Sequence, residues 1–516
     1  MSSGRAGDVG RDLVEDLLAR GVTDAVLAPG SRSGPIALAV HAADGQGLIR
    51  LHVRVDEREA GFLALGLAKS ARRPVPVITT SGTAVANLHP ALLEASHSGV
   101  PVLAVTADRP ARLRGTGANQ TTDQRRIFPG MPFVESVEEL ASAWRGSGPC
   151  HLNLELDEPL LEPMEWRFAT SRREAAPTET EAVTIDLVPG PRTVVVAGDS
   201  AGEEPVRLAE RAGWPLLADP SSGARRGPHA IATYRLLLEH FDDRIERVVS
   251  FGHATLSRPV SGLLGRADLD IVHVGDQSTF PVPAGDRVVF ADAVRTPERP
   301  ADSWLADWRD ADARVARSLP SDDVLDAARA VWASAAGGLL FVGSSNPVRD
   351  LDLVGDPGHP PAIVLANRGL AGIDGALSTA IGAALSLPGR RAIAVVGDLT
   401  FLHGSNGLLI GPSEPRPDLT IVVISDDGGS IFATLEQGSS EYSGSFERVY
   451  ATPTGARIEH LCAGYGVGYR RATAADLPGV LGETSGLSVV EVPVSRAGRR
   501  DLAEACVSSA RAALGR

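Results

Sequence analysis

Two apolar segments in the last third of the chain each end in an aspartate that lies close to glycine, and this pair constrains the fold more than any other feature. Residues 392–397 run into Asp398, and residues 420–425 run into Asp426. The two aspartates are 28 positions apart, which is enough for a strand end, a crossover helix and the next parallel strand. Because neighbouring parallel strands end at the same edge of a sheet, we expect both carboxylates at one edge of an α/β fold.

The residues around these aspartates indicate what such an edge could bind. Carboxylate oxygens are the ligands that hard divalent cations prefer. Glycines at 397, 404, 428 and 429 remove side chains where backbone amides and carbonyls would approach an anion or a metal. Either segment alone is typical of an ordinary strand end followed by turn residues. In this order and at this spacing, the two together favour a site for a metal and a diphosphate.

Composition limits the class of protein. A chain of 516 residues, with 43% hydrophobic and 22% charged residues, is expected to form two to four globular domains. Its formal net charge of −14 argues against a nucleic acid or an anionic membrane as partner. Lys69 is the only lysine, so the other 49 of the 50 basic residues are arginine.

Cysteine usage and hydropathy bear on the compartment. The three cysteines, Cys150, Cys462 and Cys506, share no metal-ligand spacing, which predicts reduced thiols and no zinc site. The first residues lack an apolar core segment, and no run approaches the ~18 apolar residues of a membrane span. We therefore expect a cytoplasmic protein without a membrane partner.

Helical periodicity alternates with short apolar runs along the whole chain, which predicts three consecutive α/β domains with mainly parallel sheets. The first covers residues 1–180, and a Glu-, Thr- and Pro-rich linker at 170–191 closes it. The second covers 190–320 and contains no GxGxxG in its turns, so a dinucleotide role is unsupported there. The third covers 324–516.

Residues 61–82 and 375–397 resemble one another, since each has a small-residue helix, an arginine turn and a strand that ends in glycine. Any two helix–strand units share some likeness, but the similarity predicts that the first and third domains are copies of one fold. Duplicated α/β domains suit a ligand that is held at both ends.

A glutamate lies where a strand runs into the helix of the first of these segments. Glu57 occupies this junction, with Asp56, Arg58 and Glu59 beside it. An acid here is also typical of the N-terminal charge of a helix. The position of Glu57 alone therefore does not indicate a catalytic role, and only the motifs elsewhere in the chain do so.

The chain carries a collinear set of motifs and is identified by them as similar to the thiamine-diphosphate enzymes, in particular to the 2-succinyl-5-enolpyruvyl-6-hydroxy-3-cyclohexene-1-carboxylate synthase family of menaquinone biosynthesis. It departs from the wider superfamily at Leu399, where glycine is usual, and at Ser425-Asp426-Asp427, which replaces an asparagine pair. One branch of the superfamily has both departures. The motifs are Pro29-Gly-Ser-Arg-Ser, Asp56-Glu-Arg, Thr80-Ser-Gly-Thr-Ala-Val-Ala-Asn-Leu, Thr106-Ala-Asp-Arg-Pro, Gly117-Ala-Asn-Gln, Asn367-Arg-Gly-Leu-Ala-Gly-Ile-Asp-Gly, Gly397-Asp-Leu-Thr-Phe-Leu-His and Asp426-Asp-Gly-Gly-Ser-Ile-Phe.

The resemblance implies a thiamine-diphosphate-binding fold with an N-terminal pyrimidine-binding domain, a central Rossmann-like domain and a C-terminal diphosphate-binding domain. It implies decarboxylation of 2-oxoglutarate followed by conjugate addition of the succinyl carbanion equivalent to isochorismate. The cofactors would be thiamine diphosphate with Mg²⁺ or Mn²⁺. The protein would be a homo-oligomer, dimer or tetramer, in which two subunits share each coenzyme.

The resemblance also implies residue roles. Glu57 would favour the imino tautomer of the coenzyme's aminopyrimidine, and Gln120 would be a second catalytic residue. The metal ligands would be Asp398, Asp426 and the backbone carbonyl of Gly428. Further coenzyme contacts would come from Ser81, Gly82, Ile373, Gly397, Leu399, Thr400 and Ile431. Substrate contacts would come from Arg32, Arg109, Asn119, Gln120, Ser345, Arg349, Arg368, Phe432 and Leu435.

Alternatives remain at this point. Any one of the arginines could be a solvated or structural residue, and Ile431, Phe432 and Leu435 could equally be core. Another thiamine-diphosphate decarboxylase or carboligase would share the coenzyme motifs but not Arg32 or the Asn119-Gln120 pair. A non-catalytic metabolite-binding regulator would not need the tautomer-setting acid.

Overall fold

The computed structural model describes residues 5–144, 146–169, 182–299 and 302–515. The first part of the predicted linker, residues 170–181, lies outside the described residues. Its second part was predicted wrongly, since Thr184–Asp186 forms a strand that pairs with Ala293–Arg295.

The N-terminal part of the chain alternates strands and helices, as predicted. Its six strands form one fully parallel sheet. The elements are α1 (Ala6–Ala19), β1 (Asp24–Leu27), α2 (Gly34–Gly45), β2 (Arg50–Val53), α3 (Glu57–Ala71), β3 (Val75–Thr79), α4 (Thr83–Asn87), α5 (His89–His97), β4 (Val102–Asp108), β5 (Phe133–Val134), α6 (Val137–Ala143) and β6 (Cys150–Glu155).

The middle part forms a five-stranded parallel sheet of order β12-β11-β10-β8-β9 and a parallel pair, β13 with β7. The elements are β7 (Thr184–Asp186), β8 (Thr193–Ala197), α7 (Glu204–Ala212), β9 (Leu216–Ala218), α8 (Tyr234–Phe241), β10 (Arg247–Phe251), α9 (Arg258–Leu264), β11 (Asp270–Val274), β12 (Val288–Ala291), β13 (Ala293–Arg295) and α10 (Ser303–Ser318).

The C-terminal part forms a second six-stranded parallel sheet. The elements are α11 (Asp323–Ser334), β14 (Leu339–Val342), α12 (Asn346–Val354), β15 (Ile363–Leu365), α13 (Ala376–Leu385), β16 (Ala392–Gly397), α14 (Asp398–His403), β17 (Leu419–Ser425), α15 (Ser443–Phe446), α16 (Ile458–Tyr465), β18 (Gly468–Arg471), α17 (Leu477–Glu483), β19 (Leu487–Pro493) and α18 (Arg499–Leu514).

The two six-stranded sheets have the same topology. The first has the order β2-β1-β3-β4-β6-β5, and the second has the order β15-β14-β16-β17-β19-β18. Counted from the first strand of each sheet, both orders are 2-1-3-4-6-5. The copy relationship predicted from residues 61–82 and 375–397 therefore extends to the whole strand order of both sheets.

The chain divides into two compact units. One contains residues 1–178, 369–389 and 403–418, and the other contains the rest. This division into two units does not decide the boundaries of the three predicted domains, which remain a prediction. The segment between Asp398 and Asp426 was predicted as a crossover helix, but the structure has only the six-residue α14 and a short 3₁₀ turn there.

Helices α3 and α13, the two small-residue helices of the repeated segments, pack against each other in the first unit. Glycine is required at the contact, because a Cβ at Gly66 would overlap the carbonyl group of Thr379, and a Cβ at Gly382 would overlap that of Leu63. The small side chains thus allow a close backbone approach. Within the described residues, no helix combines the length and the apolar character that crossing a membrane would need.

Candidate active site

Asp398 and Asp426 lie at one edge of the C-terminal sheet, as their spacing predicted. β16 and β17 are neighbouring parallel strands, and the aspartates follow their last residues. The Asp398 carboxylate accepts hydrogen bonds from the backbone amides of Leu399 at 2.6 Å and Gly428 at 3.0 Å. The loop that follows β17 is therefore held against the end of β16.

The electrostatics of this pair suit a cation. Asp398 is only 6% exposed. Burial raises the pKa of Asp398, although backbone amides of Gly428 and Leu399 offset part of the effect. Burial also raises the pKa of Asp426 to about 6, and the neighbouring Asp398 charge adds to the rise. Neighbouring carboxylates whose ionised forms are disfavoured in this way gain from a divalent cation between them.

The backbone after β17 provides the remaining oxygen of the predicted metal site. The carbonyl of Gly428 accepts one hydrogen bond, from the Ser430 amide at 3.1 Å, which leaves a second lone pair. Gly428 has φ +147°, and a Cβ there would overlap the carbonyl of Ala451. Among the described residues, no cluster of three or more His, Cys, Asp or Glu could hold a metal ion, so a cation here would need backbone and ligand oxygens as well.

The carboxylate of Asp427, unlike that of its neighbour Asp426, binds backbone amides of a nearby loop. Asp427 has a left-handed backbone with φ +53°, and its carboxylate accepts from the amides of Thr454 at 3.1 Å and Gly455 at 3.2 Å. Of the two consecutive aspartates, Asp427 therefore fastens the loop to residues 454–455. This leaves Asp426 beside Asp398.

The end of β14 joins the same edge. Ser345, with φ +75°, immediately precedes α12. The next residue, Asn346, donates to the Ser430 hydroxyl at 2.6 Å. One turn into α12, Arg349 donates to the Ser345 carbonyl at 2.7 Å. Ser345 and Arg349, both predicted to bind substrate, are thus neighbours, and burial together with the charge of Arg368 lowers the pKa of Arg349.

The other residues predicted for this end of the site have these positions. Arg368 is buried after β15 and donates to the Thr255 hydroxyl at 3.1 Å. Thr400 is buried on α14 beside the half-buried Leu399. The three apolar residues Ile431, Phe432 and Leu435 are half-buried and lie in or next to the 3₁₀ segment Ser430–Thr434. Ile373 is also half-buried, but it lies before α13 in the first unit.

In the first unit, three acids compete at the start of α3, and their contacts distinguish them. Both oxygens of Asp56 are engaged, one with the amides of Arg58 and Glu59 and one with Asn406. Glu59 is 1% exposed, accepts from Ser378 on α13 at 2.6 Å, and burial raises its pKa to about 7. Glu57 is partly exposed and has one long contact, from Asn87 at 3.3 Å. Glu57 is therefore the acid most open to a ligand.

The loop after β3 is fixed by a second loop. The Ser81 hydroxyl donates to the carbonyl of Gln120 at 2.9 Å, and the Gly82 amide donates to the buried side chain of Gln124 at 3.0 Å. Gln124 in turn donates to Asn153 at 2.7 Å. Gln120 has a left-handed backbone with φ +52°, and its side chain is exposed. Ser81, Gly82 and Gln120 are thus neighbours.

Arg32 and Arg109 share the neighbourhood of this loop. Arg32 is buried and donates to the Leu156 carbonyl at 2.9 Å, and its Nε has no partner in the structure. Burial and the nearby charge of Arg109 lower its pKa. Arg109 donates to the carbonyl of Asn119 at 3.0 Å. A buried guanidinium with an unused N–H is suited to an anionic ligand.

The predicted residues thus form two groups, one in each compact unit. The first unit contains Arg32, Glu57, Ser81, Gly82, Arg109, Asn119, Gln120 and Ile373. The second unit contains Ser345, Arg349, Arg368, Gly397, Asp398, Leu399, Thr400, Asp426, Gly428, Ile431, Phe432 and Leu435. Sequence reasoning missed Gln124, Asn153, Asn346 and Ser430. Of these, Ser430 lies inside a matched motif and Asn346 directly follows a predicted site residue, so both could have been found.

Comparisons with known proteins show the family to which the chain belongs. The model of the thiamine pyrophosphate enzyme N-terminal TPP-binding domain matches residues 8–127, and that of the C-terminal TPP-binding domain matches residues 357–492. The chain is 50% identical to a protein of a Nocardioides species, over 96% of both chains. It is 44% identical to one of Kineococcus radiotolerans and 42% identical to one of Saccharopolyspora erythraea, each over 97% of this chain and 98% of the relative. All three relatives are named 2-succinyl-5-enolpyruvyl-6-hydroxy-3-cyclohexene-1-carboxylate synthase.

Proposed function

The chain belongs to the 2-succinyl-5-enolpyruvyl-6-hydroxy-3-cyclohexene-1-carboxylate synthase family of thiamine-diphosphate enzymes, and on this premise we propose that it performs the family reaction in menaquinone biosynthesis. It removes CO₂ from 2-oxoglutarate and adds the succinyl carbanion equivalent to isochorismate. It is thus a transferase and a carboligase.

Thiamine diphosphate, when bound, supplies the carbanion chemistry that this reaction requires. The protein would hold it through a divalent cation, Mg²⁺ or Mn²⁺, on Asp398, Asp426 and the carbonyl of Gly428. The raised pKa of Asp426 and the free lone pair of Gly428 support this assignment. Gly397, Leu399 and Thr400 adjoin these oxygens in the chain. Ser81, Gly82, Ile373 and Ile431 would contact the remainder of the coenzyme.

Glu57 would bind a ring nitrogen of the aminopyrimidine and hold the proton that favours the imino tautomer. The partly exposed carboxylate of Glu57 supports this role. The two neighbouring acids are already engaged, since Asp56 caps α3 and the buried Glu59 is hydrogen-bonded to Ser378 on α13. Gln120 would add an amide next to the Ser81-Gly82 loop.

Both substrates carry two carboxylates, and arginine can bind each of them bidentately. Arg32, Arg109 and Asn119 would bind isochorismate. The Nε–H of Arg32, which has no partner, could donate to a substrate carboxylate, and Arg109 is hydrogen-bonded to the Asn119 carbonyl. Ser345, Arg349 and Arg368 would serve 2-oxoglutarate. Phe432 and Leu435 would wall the apolar part of the pocket, a role that their partial exposure permits.

The observation that carries the proposal is the position of Asp398 and Asp426 at adjacent strand ends, where the Gly428 amide holds the loop that carries Asp426 against the buried Asp398 carboxylate. Incubation with isochorismate, 2-oxoglutarate, thiamine diphosphate and Mg²⁺ should yield the adduct of both substrates, identified by mass spectrometry. Consumption of 2-oxoglutarate without an adduct would instead favour another thiamine-diphosphate decarboxylase. No consumption at all would favour a binding protein.

Assembly and location are part of the proposal. Each coenzyme would be held by the N-terminal residues of one subunit and the C-terminal residues of another, so the protein would be a dimer or tetramer. The two sheets of identical strand order, 2-1-3-4-6-5, support a coenzyme that is held at both ends by similar domains. The cytoplasmic location predicted from composition stays a prediction, as does the choice between Mg²⁺ and Mn²⁺, since oxygen ligands suit both ions.

A further inference from the structure

The second compact unit contains a buried chain of acids that no motif predicted. Asp219 follows β9, Tyr234 begins α8, and Asp352 lies on α12. The Tyr234 hydroxyl oxygen is 2.8 Å from an oxygen of Asp219 and 2.6 Å from an oxygen of Asp352. Asp219 is 5% exposed, and the other two are fully buried. One hydroxyl thus bridges two carboxyl groups away from water.

This geometry requires an additional proton. A tyrosine hydroxyl donates one hydrogen bond, so two ionised carboxylates would leave one contact without any proton between its oxygens. Asp352 faces two guanidinium groups, Arg235 at 3.4 Å and Arg225 at 3.8 Å, and it is therefore the ionised member. The proton then belongs to Asp219, which donates to Tyr234 while Tyr234 donates to Asp352. Burial, reinforced by the Asp352 charge, raises the pKa of Asp219 to about 7.

The chain is in electrostatic contact with the proposed substrate arginines. Arg349 lies three residues before Asp352 on α12, and its pKa is lowered by burial, by Arg368 and by Arg235 while Asp352 opposes this. The charge of Arg368 also acts on Asp219. The groups that face the chain are Asp199, Arg225, Arg235, Arg349 and Arg368.

These positions suggest a reason for a neutral acid. Arg225 is satisfied by backbone carbonyls, among them those of Gly355, Ala218 and Ala232. Arg349 and Arg368 each have one neutral acceptor, the Ser345 carbonyl and the Thr255 hydroxyl. An ionised Asp219 would add a second buried negative charge that acts on Arg368, beside the charge of Asp352 that already acts on Arg349, and it would compete with a bound carboxylate.

We propose that Asp219 is a positioning residue for dicarboxylate binding, and that its neutral form, held by Tyr234, leaves Arg349 and Arg368 available to the substrate. The inference rests on the proposed function in taking 2-oxoglutarate as the ligand of these arginines. Below pH 7 Asp219 is neutral and affinity is full. As the pH rises through 7 the acid ionises and affinity falls.

The test uses the holoenzyme with thiamine diphosphate and Mg²⁺, and glutarate as a five-carbon dicarboxylate that has no 2-oxo group to react. If binding needs neutral Asp219, whose pKa is about 7, the Kd of the wild type should rise by about 25-fold between pH 6.5 and 8.5. Asp219→Asn keeps a donor to Tyr234 and cannot ionise, so its Kd should stay near the low-pH value. Asp276→Asn is the matched control, since Asp276 follows β11 of the same sheet but is exposed, and it should keep the wild-type profile.

A measurement without ligand tests the proton separately. The infrared difference spectrum between the wild type and Asp219→Asn should contain the carbonyl band of one protonated carboxyl at pH 6, and this band should disappear as the pH rises through 7. The bands of Glu59 and Asp426, whose pKa values are also raised, are common to both proteins and cancel in the difference. A wild-type pH profile in the Asp219→Asn variant would overturn the inference, as would a flat profile in the wild type.

Failure of the proposed function gives a different pattern. If no adduct forms from 2-oxoglutarate and isochorismate, the reaction is refuted. A glutarate affinity that still follows Asp219 would then support the positioning role for another dicarboxylate. If the adduct forms but Asp219→Asn leaves the pH profile unchanged, only the positioning role is refuted.

Discussion

The backbone amide of Gly428 donates a 3.0 Å hydrogen bond to the carboxylate of Asp398, thirty positions earlier in the chain. This bond fixes the loop after β17 against the end of β16, and the loop carries Asp426 and the Gly428 carbonyl. Any ligand that needs all three oxygens therefore meets them in one place. The adjacent residue Asp427 uses its carboxylate for the loop itself.

Substitutions in this loop should separate metal binding from loop structure. Asp398→Ala should weaken metal-dependent binding of thiamine diphosphate by more than ~100-fold, since even outer-shell partners of a metal are worth about 10–100-fold. Asp426→Asn keeps one ligand oxygen and should cost about tenfold or less. Calorimetric titration of coenzyme, with Mg²⁺ or with EDTA, measures both.

Asp427→Asn is the control for these two variants. Its amide oxygen can still accept from Thr454 and Gly455, so the metal dependence of coenzyme binding should not change. Equal loss in all three variants would mean that they disturb the loop, and the assignment of Asp398 and Asp426 as ligands would then be wrong.

The parts of this site that could be predicted from sequence are those that depend on chain order. Asp398 and Asp426 were found because each ends an apolar strand, and adjacent parallel strands bring such ends together. Asn346 was missed because its partner, Ser430, is 84 positions away and only the sheet order brings the two together. Tyr234 and Asp352, which are 118 positions apart, were missed for the same reason.

Local composition also misled in places. The Glu-, Thr- and Pro-rich stretch at 170–191 predicted a linker, but residues 184–186 gain strand partners from β13, more than a hundred positions later. The two-residue strand β5 is too short for any periodicity. In contrast, the likeness of residues 61–82 and 375–397 predicted a shared topology for two complete sheets, because repeated α/β units conserve strand order.

Glu57→Gln should leave coenzyme binding intact and slow proton exchange at the thiazolium carbon. The variant keeps the shape and hydrogen-bonding capacity of the side chain but removes the charge, and such acid–base contributions are about 10²–10⁴-fold. Exchange into deuterated buffer, followed by NMR on the bound coenzyme, measures the effect. A variant that retains most of its exchange rate would transfer the role to another acid.

Glu59 should make stability depend on pH. Its pKa is raised to about 7 in the folded chain, mainly by burial, whereas the ordinary value is 4.5. The folded state thus holds the proton more tightly, and the stability that this provides is fully present below pH 4.5 and is lost as the pH rises to about 7. Glu59→Gln removes this loss and should stabilise the first unit at pH 8 relative to pH 5 by roughly 1–3 kcal/mol.

Melting temperatures of wild type and Glu59→Gln between pH 5 and pH 8 test this expectation. The difference between the two proteins should grow with pH. Glu57→Gln, two residues earlier on the same helix and partly exposed, should show no such trend. An equal trend in both variants would attribute the effect to the charge of the helix N-terminus.

Oligomerisation should be obligatory for activity. If each coenzyme is held by two subunits, dilution to the point of dissociation must abolish turnover. Analytical ultracentrifugation and activity assays over the same concentration range should therefore give matching midpoints. A monomer at micromolar concentration with full turnover would refute shared coenzyme sites.

Arg32→Ala should separate the two half-reactions, because the first needs only 2-oxoglutarate and Arg32 is assigned to isochorismate. Decarboxylation, followed with an artificial electron acceptor, should remain largely intact. Ligation should fall by the ~1.5–3 kcal/mol of a lost charge-assisted hydrogen bond, which is about ten- to a hundredfold. Arg112→Ala is the control, since Arg112 contributes to the charge around Arg32 but is exposed and paired with Asp157. It should leave both steps unchanged. Equal loss of the two half-reactions in Arg32→Ala would show that this arginine shapes the site or binds the donor, and the acceptor assignment would be withdrawn.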